Sequence, residues 1–123
     1  MSETSAPVLV YLADLTHTGV QIATESFPLN IGLLAAYAKK HLGDAIDVRL
    51  FKYPEKLFAA MKEHPPAILG CSNYTWNSNL AEWACAFVKQ RSPQTLTVQG
   101  GTNYPFGAAG QLEFLRSRPH TDV

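Results

Sequence analysis

Apolar positions along the chain recur with two different periods, and the alternation between them divides it into strand-and-helix pairs. Pro7 to Leu12 is a continuous apolar run, as expected of a strand covered on both faces. The polar passage that follows, through Ser26, is longer than an ordinary strand-to-helix turn and reads as a working loop. From Phe27 the period changes: Phe27, Ile31, Leu34, Ala38 and Leu42 share one helical face. Gly43 stops that helix, with Lys39, Lys40 and His41 in a last turn where the helix dipole favours positive charge. Ile46, Val48 and Leu50 then alternate with Asp47 and Arg49, predicting a strand near a sheet edge. Pro54 opens a short helix with Leu57, Phe58 and Met61 inward, ending near His64. Residues 67–71 are apolar throughout and predict a central strand. Ser78 or Asn79 caps a third helix, Asn79 and Glu82 fit a capping box, and Leu80, Ala84, Phe87 and Val88 face inward. A fourth strand spans roughly 94–99, and a fourth helix lies within 105–117 with Leu112 and Leu115 inward. Residues 118–123 read as the lead-in to a fifth strand.

Strand and helix, four times over, predict an α/β domain with an open, mostly parallel sheet and helices on both faces. The domain spans residues 1–123, with a flexible start at 1–6, and is expected to be truncated before or at the fifth strand. Such a sheet has an exposed edge available for self-association. Composition narrows the function. Apolar residues make up 46% and charged ones 16%, and ten acidic side chains balance ten basic ones. That balance offers no footprint for nucleic acid or an anionic membrane. No apolar run has the length of a membrane span, and the first six residues are unlike a signal peptide, so a cytoplasmic location is expected. Cys71 and Cys85 have neither metal-ligand nor disulfide-framework spacing and read as small buried hydrophobes.

In open parallel sheets a ligand lies across the carboxyl ends of the strands. Three predicted strand ends carry unusual loops, and the fold brings them to one rim. Residues 14–19 contain Asp14, Thr16, His17, Thr18 and Gly19, in which Asp14 and His17 are candidates for a carboxylate–imidazole pair. Ser72-Asn73-Tyr74-Thr75-Trp76-Asn77 sets two large aromatics among hydrogen-bonding side chains, a composition suited to a broad, partly apolar ligand with polar edges. Gly100-Gly101-Thr102-Asn103 follows the fourth strand, and its glycines allow a sharp turn and close approach to the backbone. No GxGxxG fingerprint, Walker loop or cysteine-rich cluster motif is present. Glu55, Glu63, Glu82 and Glu113 fall at solvated helix positions, so no paired carboxylates can be nominated for acid–base work.

Leu69-Gly70-Cys71-Ser72-Asn73-Tyr74-Thr75-Trp76-Asn77, a helix, Pro93 and then Gly100-Gly101 resemble the cobalamin-binding domain of cobalamin-dependent radical S-adenosylmethionine enzymes. That family reads Gly-Phe-Ser-x-Tyr-x-Trp-Asn and Gly-Gly-Pro at these places; Cys71 stands for the Phe and Thr102 for the Pro. The resemblance implies a flavodoxin- or Rossmann-like fold that holds base-off cobalamin over the strand ends. By carry-over, Ser72 bonds the nucleotide tail, Gly100 and Gly101 leave it room, and Tyr74, Trp76 and Asn77 line the corrin. Asn73, Thr102, Asn103, Thr16, Thr18 and Gly19 complete the expected contacts. The superfamily's Asp-x-His-x-x-Gly motif is displaced here to Asp14-Leu15-Thr16-His17-Thr18-Gly19, which leaves His17 a candidate cobalt ligand whose more favoured role is structural. The resemblance also implies a radical S-adenosylmethionine domain, with its 4Fe-4S cluster and S-adenosylmethionine, outside this chain. Alone, the chain is expected to catalyse nothing, while the parent enzyme carries out methyl transfer or a radical rearrangement. The alternatives are a cofactor-free structural or substrate-recognition domain of the same fold, or a flavodoxin-like nucleotide-binding domain.

Overall fold

In the computed structural model, which describes residues 5–17 and 28–123, four strands form a single parallel sheet. Strands β1 (Val8–Ala13), β2 (Ile46–Phe51), β3 (Ile68–Ser72) and β4 (Leu96–Gly100) lie in the order β2-β1-β3-β4. Helices α1 (Leu29–Leu42), α2 (Pro54–Glu63), α3 (Ser78–Arg91) and α4 (Ala108–Arg116) alternate with them. The open parallel α/β class predicted from the two periods is therefore the observed one, in the Rossmann- or flavodoxin-like arrangement that the resemblance implies. The chain steps one way from β1 to β2 and the other way to β3, so the order reverses between β1 and β3. Phe27, Thr18 and Gly19 lie outside the described residues.

Side chains alternate across the sheet, and the two faces are covered differently. One face carries Tyr11, Ala13, Leu69 and Cys71, packed under Leu57 and Met61 of α2 and Ala81, Ala84, Cys85 and Val88 of α3. Each large aliphatic side chain buried there contributes roughly 1.5–3 kcal/mol by removal from water. Tyr11 is wholly buried, and its hydroxyl donates to the His64 carbonyl at 2.8 Å, so no polar group is stranded. Burial also pushes the Tyr11 phenol above its ordinary pKa. The opposite face presents Leu12, Gly70 and Val98 toward α1.

Three predicted details are corrected. Helix α1 buries Ile31, with Ala35 and Ala38 half-buried below it, whereas Leu34 is 60% and Leu42 55% exposed. The helix is rotated because the small alanines face the sheet, which leaves Leu34 over a groove beside β3. Helix α3 begins at Ser78, so Asn79 lies inside it and no side-chain cap is formed at its N-terminus. Glu82, expected to be solvated and paired with Asn79, instead accepts from Gln99 Nε2 at 3.3 Å and faces Arg118 at 3.6 Å. In α4 the buried residue is Phe114, set edge-on to Tyr104 and beneath the Arg118 guanidinium, while Leu112 is 50% exposed.

After α4 the chain returns along the outer side of β4. Gln99 N–H donates to Val123 O at 2.9 Å and Val123 N–H donates to Thr97 O at 3.1 Å. These are the paired bonds of a parallel bridge opposite Val98. Asp122 reinforces the contact, accepting from Thr97 N at 2.9 Å and from Lys89 Nζ at 2.5 Å.

Candidate functional site

All four strands point the same way, so the loops after β1, β3 and β4 emerge at one rim. Asp14 joins the first two. Its carboxylate accepts from Ser72 Oγ at 2.8 Å and Asn77 Nδ2 at 3.3 Å, and Asn77 Nδ2 also reaches the Leu15 carbonyl at 3.1 Å. Asn77 Oδ1 accepts the Tyr74 N–H at 2.8 Å, so both ends of this fully buried amide are spent on loop geometry. The expected pairing of Asp14 with His17 is replaced by these contacts. His17 Nε2 lies 3.0 Å from the Trp76 carbonyl. A carbonyl only accepts, so Nε2 is the donor in this contact.

Asn73 joins the second loop to the third. Its N–H donates to Gly100 O at 2.6 Å, its carbonyl accepts from Asn103 N at 3.2 Å, and its Oδ1 accepts from Asn103 Nδ2 at 2.8 Å. Its Nδ2 donates to Gln99 Oε1, and Gln99 Nε2 in turn donates to Thr121 Oγ1 at 2.6 Å. All four polar groups of Asn73 are thus engaged, and its side chain is wholly buried. Gln99 gave no signal in the sequence, because a glutamine in a strand usually reads as solvent-facing.

The two glycines do different work. Gly101 has φ +134°, and a Cβ built there would stand 2.7 Å from the Asn73 carbonyl oxygen. Only glycine fits the clamp between the loops. A Cβ at Gly100 would meet nothing within 4 Å. That space belongs to a groove of about 460 Å³ between α1 and the sheet, bordered by Leu12, Ile31, Leu34, Gly70, Val98 and Gly100. At its rim are Ser72, Tyr74 and Gly101. Tyr74 accepts a hydrogen bond from Asn30 Nδ2 at 2.7 Å, which leaves its own O–H free to donate elsewhere. Its ring stacks on Trp76 at 4.6 Å and 9°, and Trp76 is 61% exposed.

The structure therefore brings Thr16, His17, Ser72, Asn73, Tyr74, Trp76, Asn77, Gly100, Gly101 and Asn103 to one rim. Thr102 is exposed on the same loop. Asn30, Ile31 and Leu34 of α1 were missed by the sequence reading, which used that helix only for packing. Among the described residues, no group of three or more His, Cys, Asp or Glu gathers as a metal site. No helix among them is long and apolar enough to cross a membrane.

No family model matches the chain. Over 103 residues it is 32% identical to the cobalamin-dependent radical SAM methyltransferase TokK of Streptomyces tokunonensis. The match takes in 78% of this chain but 14% of that enzyme's length. This similarity supports a domain related to part of a cobalamin-dependent radical SAM enzyme.

Proposed function

We propose that this chain holds base-off cobalamin across the carboxyl ends of β1, β3 and β4, for a radical S-adenosylmethionine domain not contained in it. The observation that carries the reading is the groove beneath Gly100. It is mostly apolar, closed on one side by Gly70 and Val98, with polar side chains from Asn30, Ser72 and Tyr74. Such a slot suits a flat nucleotide base, with the hydrogen-bonding groups left to orient the phosphoribosyl link. At the mouth, the exposed Trp76 indole and the Tyr74 ring offer an apolar platform beside the corrin. Ser72 Oγ already donates to Asp14, so toward the tail it acts as an acceptor. Bound cobalamin would supply a methyl-carrying or radical-assisting cobalt centre, and the 4Fe-4S cluster and S-adenosylmethionine would belong to the other domain.

Titration with hydroxocobalamin tests the reading. The expected result is a shift of the absorption spectrum to the base-off form, with corrinoid retained through a desalting column. An unshifted spectrum with free passage of the corrinoid overturns it. His17→Ala addresses the axial position separately. Nitrogen splitting of the cobalt(II) spectrum that vanishes in the variant assigns His17 as the lower ligand, and its absence in both proteins leaves His17 the structural role given by its contact with the Trp76 carbonyl.

A further inference from the structure

The two edges of the sheet are finished differently. The outer side of β4 is bridged at Val98 by Val123, whereas β2, at the other edge, pairs only with β1. Asp14 N–H donates to Phe51 O, so Phe51, Arg49 and Asp47 turn their backbone groups toward β1. The alternate residues Ile46, Val48 and Leu50 turn theirs outward. Lys39 Nζ reaches the Ile46 carbonyl at 3.4 Å, and no hydrogen bond from the described residues meets the outward N–H or C=O of Val48 or Leu50. Leu50 is 42% exposed, and on the opposite face of the strand Asp47 and Arg49 form an exposed ion pair at 3.1 Å.

We propose that β2 is a dimerisation edge, pairing antiparallel with β2 of a second copy of this chain about a two-fold axis at Val48. Charges on an edge strand ordinarily ward off another strand. Here the two charges are of opposite sign and flank Val48 symmetrically, so a two-fold axis there sets Asp47 of each copy against Arg49 of the other. These are the non-hydrogen-bonded positions of the pair, where facing side chains approach most closely. Val48 of the two copies exchange both outward backbone bonds. Ile46 of one copy faces Leu50 of the other and covers its exposed side, and the long Lys39 side chain swings away from the Ile46 carbonyl. Sliding one strand by two residues sets Asp47 against Asp47 or Arg49 against Arg49, and in-register parallel pairing does both. Charge therefore selects a single register. The pairing joins two four-stranded sheets into one and puts their strand-end rims at opposite ends.

The test uses the whole chain in sedimentation equilibrium over a roughly hundredfold range of concentration. A monomer–dimer equilibrium is expected; a monomer throughout, or an open-ended series of larger species, overturns the proposal. Asp47→Arg and Arg49→Asp, each alone, place like charges across the axis and should weaken the dimer by more than about tenfold. Mixed in equal amounts, the two variants should recover it as a heterodimer, since each then faces the opposite charge. A dimer of parental strength in both single variants, or a mixture of the folded variants that stays monomeric, contradicts the pairing. Circular dichroism checks that each variant is folded. Amide exchange of the parent protein needs no variant: the Val48 and Leu50 amides should gain protection as concentration rises, and unchanged exchange at both refutes the edge contact.

Discussion

The two faces of the sheet are made from the same four strands and end up with opposite characters. Against α2 and α3, Tyr11, Leu69 and Cys71 are buried in one cluster with Leu57, Met61, Ala84 and Val88. Against α1, the corresponding positions are Leu12, Gly70 and Val98, and about 460 Å³ stays open between helix and sheet. Apolar character alone does not separate the faces. Side-chain size does, because a glycine at the centre of β3 and alanines along α1 leave space where the other face spends it. Stability is expected to reside in the closed face and ligand recognition in the open one.

That division can be broken most directly at Leu57, which is fully buried. Leu57→Ala should destabilise the fold by about 2–5 kcal/mol, measured by urea denaturation. Leu34→Ala on the open face should change stability by less than about 0.5 kcal/mol. Comparable losses for the two would erase the contrast. The glycine pair comes next. Gly101→Ala forces a Cβ against the Asn73 carbonyl at positive φ and should cost about 1–3 kcal/mol, whereas Gly100→Ala should leave the denaturation midpoint unchanged. Gly70→Val sharpens the comparison from the ligand side. The new Cβ would meet only the flexible end of Leu12, at 2.9 Å, so the fold should persist while the groove fills. Hydroxocobalamin retention should fall by more than about tenfold, equivalent to 1.4 kcal/mol.

The smallest effect concerns Asp122, at the outer side of β4. The hydrogen bond from Lys89, then that from the Thr97 N–H, holds its carboxyl below the ordinary range. A carboxyl with a depressed folded-state pKa stabilises the fold above its unfolded value, and this contribution is lost as pH falls through the folded value. Both partners are partly solvated, so screening keeps the effect small. Asp122→Asn should therefore lower stability slightly near pH 8 and converge on the parent as pH falls through the folded value, which flattens the acid limb.

Much of the architecture was legible because period and punctuation agreed: Gly43, Pro54 and Pro93 fall at or near real boundaries, and the apolar run at 67–71 is the central strand. What misled was helix rotation. Leu34 and Leu112 look like core residues by period, but rotation is fixed by which neighbour is present, and that is tertiary information. The rim's residues were legible as a set, since their loops follow parallel strands. Their individual tasks were not. Asn73 and Asn77 read as ligand groups, yet both are consumed in holding loops together. Gln99 and Asn30 escaped notice because their meaning depends on partners 26 and 44 residues away.

The saturation of Asn73 has a kinetic corollary. With its N–H, carbonyl, Oδ1 and Nδ2 all engaged, Asn73 ties the loops after β3 and β4 together. A small molecule arriving there meets a mouth already in its final shape. Association should then proceed in a single exponential phase whose observed rate climbs in proportion to ligand concentration, with no plateau set by a slow rearrangement.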